Sequence, residues 1–247
     1  MSRGFVAVWR LLLMLLHVVH GMVLMASRFS ALDAAGRHVY IQWWSATLLR
    51  QLGIGLTVQG MPHAGATLLV ANHVSWLDIA AIHAAVPQAR FVSKSDVKQW
   101  PLVGRLVAGA GTLFIERESK RDALRVVHQM ADALRAGDMV AIFPEGTTGE
   151  GRELLPFHAN LLQAAVVTGV PVQAAVLRFY QPGQAFSEAV EFVGATTLAQ
   201  SLWRMACAKG LAVEVNLLEG HVGPHRERRV LAAQLRERIG DALAQAD

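Results

Sequence analysis

The chain has 247 residues, 53% of them hydrophobic, and a formal net charge of +4 at pH 7. Its mean hydropathy of +0.34 is high for a soluble globular protein, so we expect part of the surface to face lipid. The length fits one α/β domain with an appendage. The single cysteine, Cys207, excludes an intramolecular disulfide and a thiolate metal cluster, and its helical surroundings predict a buried structural thiol.

The excess of Lys and Arg favours an anionic partner, which could be a membrane surface or a nucleic acid. The basic residues are scattered along the chain, and no groove-reading or base-stacking motif accompanies them. We therefore expect a membrane surface as the partner and no nucleic acid.

Residues 4–26 form an almost unbroken apolar run, long enough as a helix to cross a hydrocarbon core about 30 Å thick. Arg10, His17 and His20 interrupt it, and charge at bilayer depth is costly, so a tilted or surface-lying helix is an alternative. A cleaved signal peptide is another alternative, although no clean small-x-small cleavage site directly follows the run. We expect a retained anchor.

The next segment, Val39–Leu52, mixes Trp43 and Trp44 with Arg50, which suits the headgroup level of a membrane or equally a core helix. We expect residues 1–53 to form an N-terminal membrane-anchoring helical segment and residues 54–247 to form the α/β domain.

From residue 55 onward, short apolar runs alternate with helical patterns, which is typical of βα units and a mostly parallel sheet flanked by helices. The predicted strands are Gly55–Gln59, Thr67–Ala71, Arg90–Ser93, Gly111–Ile115, Met139–Phe143, Val172–Phe179, Val190–Val193 and Leu211–Leu218. The predicted helices are Leu77–Val86, Leu102–Ala108, Lys120–Ala136, Ala159–Thr168, Thr196–Ala208 and Arg226–Ala244.

The stretch 72–78 puts His73 after the predicted strand Thr67–Ala71 and puts Asp78 five residues later, at the start of a predicted helix. A neutral His can act as a general base, and a neighbouring carboxylate can fix its tautomer. Ser75 and Asp78 also have the spacing of a helix capping box, so Asp78 has a structural alternative that can coexist with a catalytic one.

Three further blocks follow in order: Gly111–Arg117, Phe143–Thr148 and Val170–Val172. Arg117 comes just after a predicted strand, where a guanidinium can hold phosphate through paired hydrogen bonds, although a surface Arg balanced by acidic neighbours is the alternative. In Phe143–Thr148 a proline ends the strand and a glycine allows a ligand to approach the backbone, although a plain turn is the alternative.

Together the four blocks resemble the glycerolipid acyltransferase family over roughly residues 55 to 180. The resemblance implies that His73 is the general base and that Asp78 orients it. It implies substrate binding by the residues that match its other blocks: Gly111, Phe114, Arg117, Glu145, Gly146, Thr147 and Lys94. An exposed strand-end lysine is the alternative for Lys94. Backbone amides near these loops are expected to hold the oxyanion.

The chain departs from the commonest family pattern at Thr148, where many relatives have Arg. Arg152 is then a candidate to supply the charge, or the acceptor has a different polar head. No His, Asp or Glu grouping has metal-ligand spacing, so we predict no metal and no cofactor.

The resemblance implies transfer of a fatty acyl group from acyl-CoA or acyl-carrier protein to 1-acylglycerol-3-phosphate, at the cytoplasmic face of an inner membrane. An acceptor such as lyso-ornithine lipid is the nearest alternative. A thioester or ester hydrolase and a lipid-binding protein with an inert site are more distant ones.

Overall fold

The computed structural model describes residues 3–94, 103–115, 120–220 and 227–245. Helices α1–α8 in these ranges span Arg3–Ser27, Ala34–Leu52, Asp78–Ala85, Val103–Gly109, Lys120–Arg135, Gln163–Thr168, Leu198–Cys207 and Arg228–Ala244. Strands β1–β7 span Gly55–Gln59, Thr67–Ala71, Ala89–Lys94, Leu113–Ile115, Met139–Ile142, Val172–Tyr180 and Ala212–Leu217.

Within the described residues, the strands form one seven-stranded sheet in the order β1-β7-β6-β2-β5-β3-β4. Every neighbouring pair is parallel except β6 and β7, which are antiparallel. The predicted α/β fold with a mostly parallel sheet is therefore confirmed. All five residues of β2 are buried, which explains why its sequence is continuously apolar rather than alternating.

Alternate residues of β2 divide between two hydrophobic cores, one on each face of the sheet. Leu69 and Ala71 pack with α2, α3 and α7, whereas Leu68 and Val70 pack with α5, α6 and α8. This central strand is therefore fixed from both faces, and it holds the loop that follows it in a defined position.

One predicted strand is not formed, and some predicted elements begin later than expected, such as the strand Gly111–Ile115, which begins at Leu113, and the helix Ala159–Thr168, which begins at Gln163. Val190–Val193 is not a strand, because its backbone bonds to a loop rather than to a neighbouring strand: Phe192 N donates to Val74 O at 3.3 Å.

Helix α2 contains the segment Val39–Leu52 and begins at Ala34, because Asp33 caps it by accepting a hydrogen bond from Gly36 N at 2.8 Å.

Helix α1 packs against the domain along its length. Arg10 Nη1 donates to Ala206 O and Ala208 O, at 2.9 and 2.8 Å, and so caps the last turn of α7. His17 Nε2 bonds to Trp44 O in α2 at 2.9 Å, and the Met25 side chain lies against Gly109 at the end of α4. Arg10 also covers Gly53, where a β-carbon would lie 2.1 Å from the guanidinium.

The outer face of α1 is exposed and is apolar except at His20. Span Gly4–Ser27 is long and apolar enough to cross a membrane, but its inner face is occupied by the domain. The exposed side chains on it are Phe5, Val8, Trp9, Leu12, Leu15, Leu16, Val19 and Val23.

The buried histidine of α3 makes the fold sensitive to acid. His83 Nε2 bonds to Ala89 O at 3.0 Å, so the ring is a neutral donor. Burial, opposed by this bond and assisted by nearby His38, lowers the pKa of His83 to about 4. Above pH 6.5 the His83 ring is neutral in both the folded and the unfolded chain. Between pH 6.5 and the folded pKa of about 4, only the unfolded chain binds a proton at this ring.

We therefore expect acidification from pH 6.5 to 4 to remove about 3 kcal/mol of stability through His83 alone, at about 1.4 kcal/mol per pKa unit. Thermal unfolding in detergent across this range measures the loss. His83→Gln, which keeps a donor for Ala89 O but does not titrate, should flatten the pH dependence relative to wild type. The exposed His128→Gln is the control; equal slopes for both variants would contradict the assignment.

Candidate active site

His73 lies in the loop that follows the buried strand β2, and Asn72 fixes the start of this loop. The Asn72 side chain pairs with the backbone of Leu177 in β6: Nδ2 donates to Leu177 O at 2.9 Å, and Leu177 N donates to Oδ1 at 2.8 Å. This amide continues the β2–β6 pairing for one further residue. The loop therefore leaves the sheet at a fixed point.

Asp78 closes the loop from the first turn of α3. Its Oδ2 lies 2.7 Å from His73 Nδ1 and accepts hydrogen bonds from Val74 N at 2.7 Å and Ser75 N at 2.9 Å. The carboxylate is fully buried. Three N–H groups thus converge on one oxygen, which compensates the cost of burying its charge.

Asp78 makes one of the two hydrogen bonds of a capping box, the bond to the backbone of Ser75. Asp78 accepts from Ser75 N, as a third-position acid does, but no side chain caps the first amides of α3. The same carboxylate oxygen therefore shapes the loop and contacts the imidazole.

Glu145 holds the other side of the loop. Its Oε1 accepts from His73 N at 2.7 Å, and its Oε2 accepts from Leu155 N at 2.8 Å. The side chain is buried, and burial raises the pKa of Glu145 in spite of these two bonds. We predicted that Glu145 would contact substrate; in the structure each of its oxygens holds a backbone amide, so it acts on the loop of His73.

The ring of Phe143 stacks on the imidazole of His73, with centroids 4.0 Å apart and planes 8° apart. Because a carboxylate only accepts, the contact with Asp78 requires the proton on Nδ1 and leaves Nε2 unprotonated. The His73 side chain is 18% exposed, and no described residue bonds to Nε2. Nε2 is therefore placed to receive a proton from a hydroxyl.

The backbone amides of residues 73–75 are all occupied by the two carboxylates. They cannot also stabilise an oxyanion, so the expectation of an oxyanion hole in these loops does not hold for this stretch. The sequence predicts no role for Asn72 or Phe143. Asn72 has a usable signal, since a polar amide directly after a buried strand must find partners. The stacking of Phe143 on His73 joins segments 70 residues apart and has no such local signal.

The second block is only partly described. Gly111 is not in a strand: it has φ +78° in the turn before β4 and accepts a hydrogen bond from Arg90 Nε at 2.9 Å. It lines a cavity of about 520 Å³ near the amino-terminal ends of the strands with Gly65 and Asp138. The structure thus separates Gly111 from His73, which follows the carboxyl end of β2.

Three other residues of this region were predicted to bind substrate: Phe114, Lys94 and Arg117. Phe114 is half-buried in β4, opposite Ser93 of β3. Lys94 ends β3, where its backbone pairs with Ile115. The structure describes this backbone but not the Lys94 side chain. Arg117 lies outside the described residues.

In the third block, Gly146 and Thr147 are exposed in the turn after β5. Gly146 has φ +72°, and a β-carbon there would lie 3.0 Å from the His158 ring, so this turn requires glycine. Arg152 is exposed, and its Nη2 lies 3.5 Å from Glu188 Oε1.

Comparisons with known proteins show the family to which this chain belongs. A family model described as Acyltransferase matches residues 55–178. The 1-acyl-sn-glycerol-3-phosphate acyltransferase of Neisseria gonorrhoeae is 36% identical over 200 residues, which cover 79% of this chain and 77% of that protein. The chain belongs to this acyltransferase family.

The acyltransferase is equally similar to a protein with another acceptor in its name. The lyso-ornithine lipid O-acyltransferase of Pseudomonas aeruginosa is 37% identical over 202 residues, which cover 82% of this chain and 77% of that protein. The crystal structure of the 1-acyl-sn-glycerophosphate acyltransferase of Thermotoga maritima shares its fold, with a TM-score of 0.69 at 18% identity over 99% and 97% of the two chains.

Thr148, the residue at which this acyltransferase departs from many relatives, binds a backbone oxygen. Thr148 Oγ1 donates to Phe192 O, and Phe192 N donates to Val74 O in the loop of residues 72–78 that carries His73. Nearby, burial and then the charges of Glu150 and Glu188 raise the pKa of Glu191. Arg152 and Arg204 act in the opposite direction, so this side of the site carries charges of both signs.

The two oxygens of Glu145 predict a sharp effect of an isosteric change. Glu145→Gln offers one acceptor for two backbone donors and turns an N–H group toward the other donor. We expect a loss of about 1–3 kcal/mol in stability and at least about a tenfold loss in kcat. Steady-state kinetics and chemical unfolding measure both, with the exposed Glu153→Gln from the same loop as the control. Wild-type kcat in the Glu145 variant would contradict the role.

Proposed function

We propose that the protein is a membrane-bound acyltransferase that moves a fatty acyl group from acyl-CoA or acyl-carrier protein to the free hydroxyl of 1-acylglycerol-3-phosphate, giving phosphatidic acid. The contact between His73 and the buried Asp78, with Nε2 turned outward, is the observation that supports it. The named relative from Neisseria gonorrhoeae supports the choice of acceptor.

In this reaction His73 Nε2 takes the proton of the acceptor hydroxyl while its oxygen attacks the thioester carbonyl. Asp78 stabilises the imidazolium that forms. The tetrahedral intermediate then breaks its carbon–sulfur bond, and the thiolate of the donor leaves and takes up the proton from His73. An ester and a free thiol result, and no covalent acyl-enzyme is required because the thioester is already activated.

The arrangement of α1 supports a membrane location with the helix lying in one leaflet. The helix packs on the domain at Arg10, His17 and Met25, so its inner face is already occupied. A crossing orientation would carry the neighbouring helices, which expose Arg50 and Arg105, into hydrocarbon. An in-plane orientation exposes only the apolar outer face to lipid.

The first half of α1 lies at the edge of the sheet that carries His73. Arg10 covers Gly53, just before β1, and β1 begins opposite Ala212. Ala212 in turn pairs with Tyr180 at the carboxyl end of β6, which is parallel to β2. An acceptor whose chain stays in the leaflet can therefore present its head to His73. We place this leaflet on the cytoplasmic face of the inner membrane, where both donors occur.

His73→Ala is expected to lower kcat by about 10² to 10⁴-fold, the usual contribution of a general base. Purified protein, a lyso-lipid in vesicles and each donor in turn give the measurement, and His128→Ala on the remote helix α5 is the control. Full transfer by the His73 variant would rule the mechanism out. Release of free fatty acid without any lyso-lipid would instead identify a hydrolase.

A second acceptor, lyso-ornithine lipid, is favoured by the third block. The Thr148 hydroxyl bonds to Phe192 O at the position where many relatives have Arg, and Glu150, Glu188 and Glu191 lie nearby. An ornithine headgroup carries an ammonium and a carboxylate group but no phosphate, so it has less need of the arginine that many relatives have in place of Thr148. The relative from Pseudomonas aeruginosa supports this acceptor.

Paired assays separate the two acceptors. If phosphate is the natural head, kcat/KM for 1-acylglycerol-3-phosphate exceeds that for lyso-ornithine lipid, and Thr148→Arg raises it further by about threefold to tenfold through a charge-assisted bond. If the ammonium head is natural, wild type prefers lyso-ornithine lipid and Thr148→Arg reduces that preference. A phosphate preference in wild type would dispose of the second acceptor.

A further inference from the structure

Trp76 lies in the loop of residues 72–78, the catalytic loop of the proposed function, and contacts helix α7, which lies outside the four sequence blocks. Trp76 lies between His73 and Asp78, and its Nε1 donates to Ser201 Oγ of α7 at 3.2 Å. Ser201 is fully buried, so the bond is shielded from water. The catalytic loop is thus tied to α7 as well as to the two carboxylates.

Helix α7 packs on the same face of the sheet as α2 and α3. The segment before it bonds to the catalytic loop through Phe192 and Val74, and its last turn is capped by Arg10 of α1. Its start is fixed by a capping box between Thr197 and Gln200. Both ends of α7 are therefore held.

Helix α7 packs against α1 and exposes Trp203 next to Arg204. Leu202 and Trp203 lie one turn before Ala206, whose carbonyl oxygen binds Arg10 of α1, and on the same side of the helix. Trp203 is 46% exposed. Ser201 points to the opposite, buried side. A tryptophan beside a lipid-facing helix suits the interface of a bilayer.

We propose that α7 is, beside α1, a second membrane-contacting helix, with Trp203 in the bilayer interface, and that Trp76 is a positioning residue through which α7 holds the catalytic loop. This rests on the proposed membrane acyltransferase. In this role Trp76 acts through its bond to Ser201, by fixing the loop that joins His73 to Asp78.

The coupling is tested with Trp76→Phe, Ser201→Ala and the double variant, assayed on the same vesicles. Each single change is expected to lower kcat about threefold to tenfold, the effect of losing one neutral hydrogen bond, while the KM for the acceptor stays unchanged. The double variant should be no worse than the single ones, because both remove the same bond.

Trp44→Phe is the matched control, since it removes the indole bond from Trp44 Nε1 to His17 O, at 3.3 Å, outside the catalytic loop. It should lower the melting temperature without lowering kcat. Wild-type kcat in either single variant, or additive losses in the double variant, would overturn the positioning role.

The membrane contact is tested by sedimentation with vesicles of phosphatidylethanolamine and phosphatidylglycerol, which requires no turnover. Trp203→Gln is expected to weaken binding about tenfold, as for removal of one large apolar side chain from the interface. Leu124→Gln, at an exposed leucine of α5 on the other face of the sheet, should bind as wild type.

Equal binding by wild type and the Trp203 variant would overturn the contact. Absence of acyl transfer by the wild type would instead contradict the proposed function, and vesicle binding would still decide the role of α7.

Discussion

One buried carboxylate oxygen organises the active site. Asp78 Oδ2 accepts from the His73 ring and from two consecutive backbone amides, and all three donors lie within five residues of it in the sequence. The oxygen is fully buried, so removal of any donor would leave charge poorly compensated. The loop geometry and the imidazole orientation are therefore a single constraint, and Glu145 strengthens it by holding the amide of His73 itself.

Helices cover both faces of the sheet and form two layers. The core formed with α5, α6 and α8 supports the sheet from one face. The other face carries α2, α3 and α7, with α1 packed across α7, α2 and α4. Since α3 starts at Asp78, the layer that contains α1 is also the layer that contains the carboxylate bonded to His73. Under the proposed function, a lipid-held acceptor would enter from this side.

The sequence predicts those features that depend on neighbours along the chain. A buried strand followed by His73 and a helix starting with Asp78 brings the two side chains together over five residues, and alternating βα patterns predict the parallel sheet. Contacts between distant segments carry no such signal. The bond from Glu145 to His73 spans 72 residues and that from Arg10 to Ala206 spans 196, so neither role is visible in a local pattern.

For the same reason, Val190–Val193 has the composition of a strand but is bonded to the loop of His73, and Gly111, whose block was expected at the site, lies at the other end of the sheet from His73.

The proposed role of His73 as a base requires an unprotonated Nε2. Nitrogen NMR of the protein with ¹⁵N-labelled histidine, assigned with a His73→Gln variant, reports the tautomer of this ring at neutral pH. We expect the proton on Nδ1 of His73 and none on Nε2; a protonated Nε2 with an unprotonated Nδ1 would contradict the proposed role.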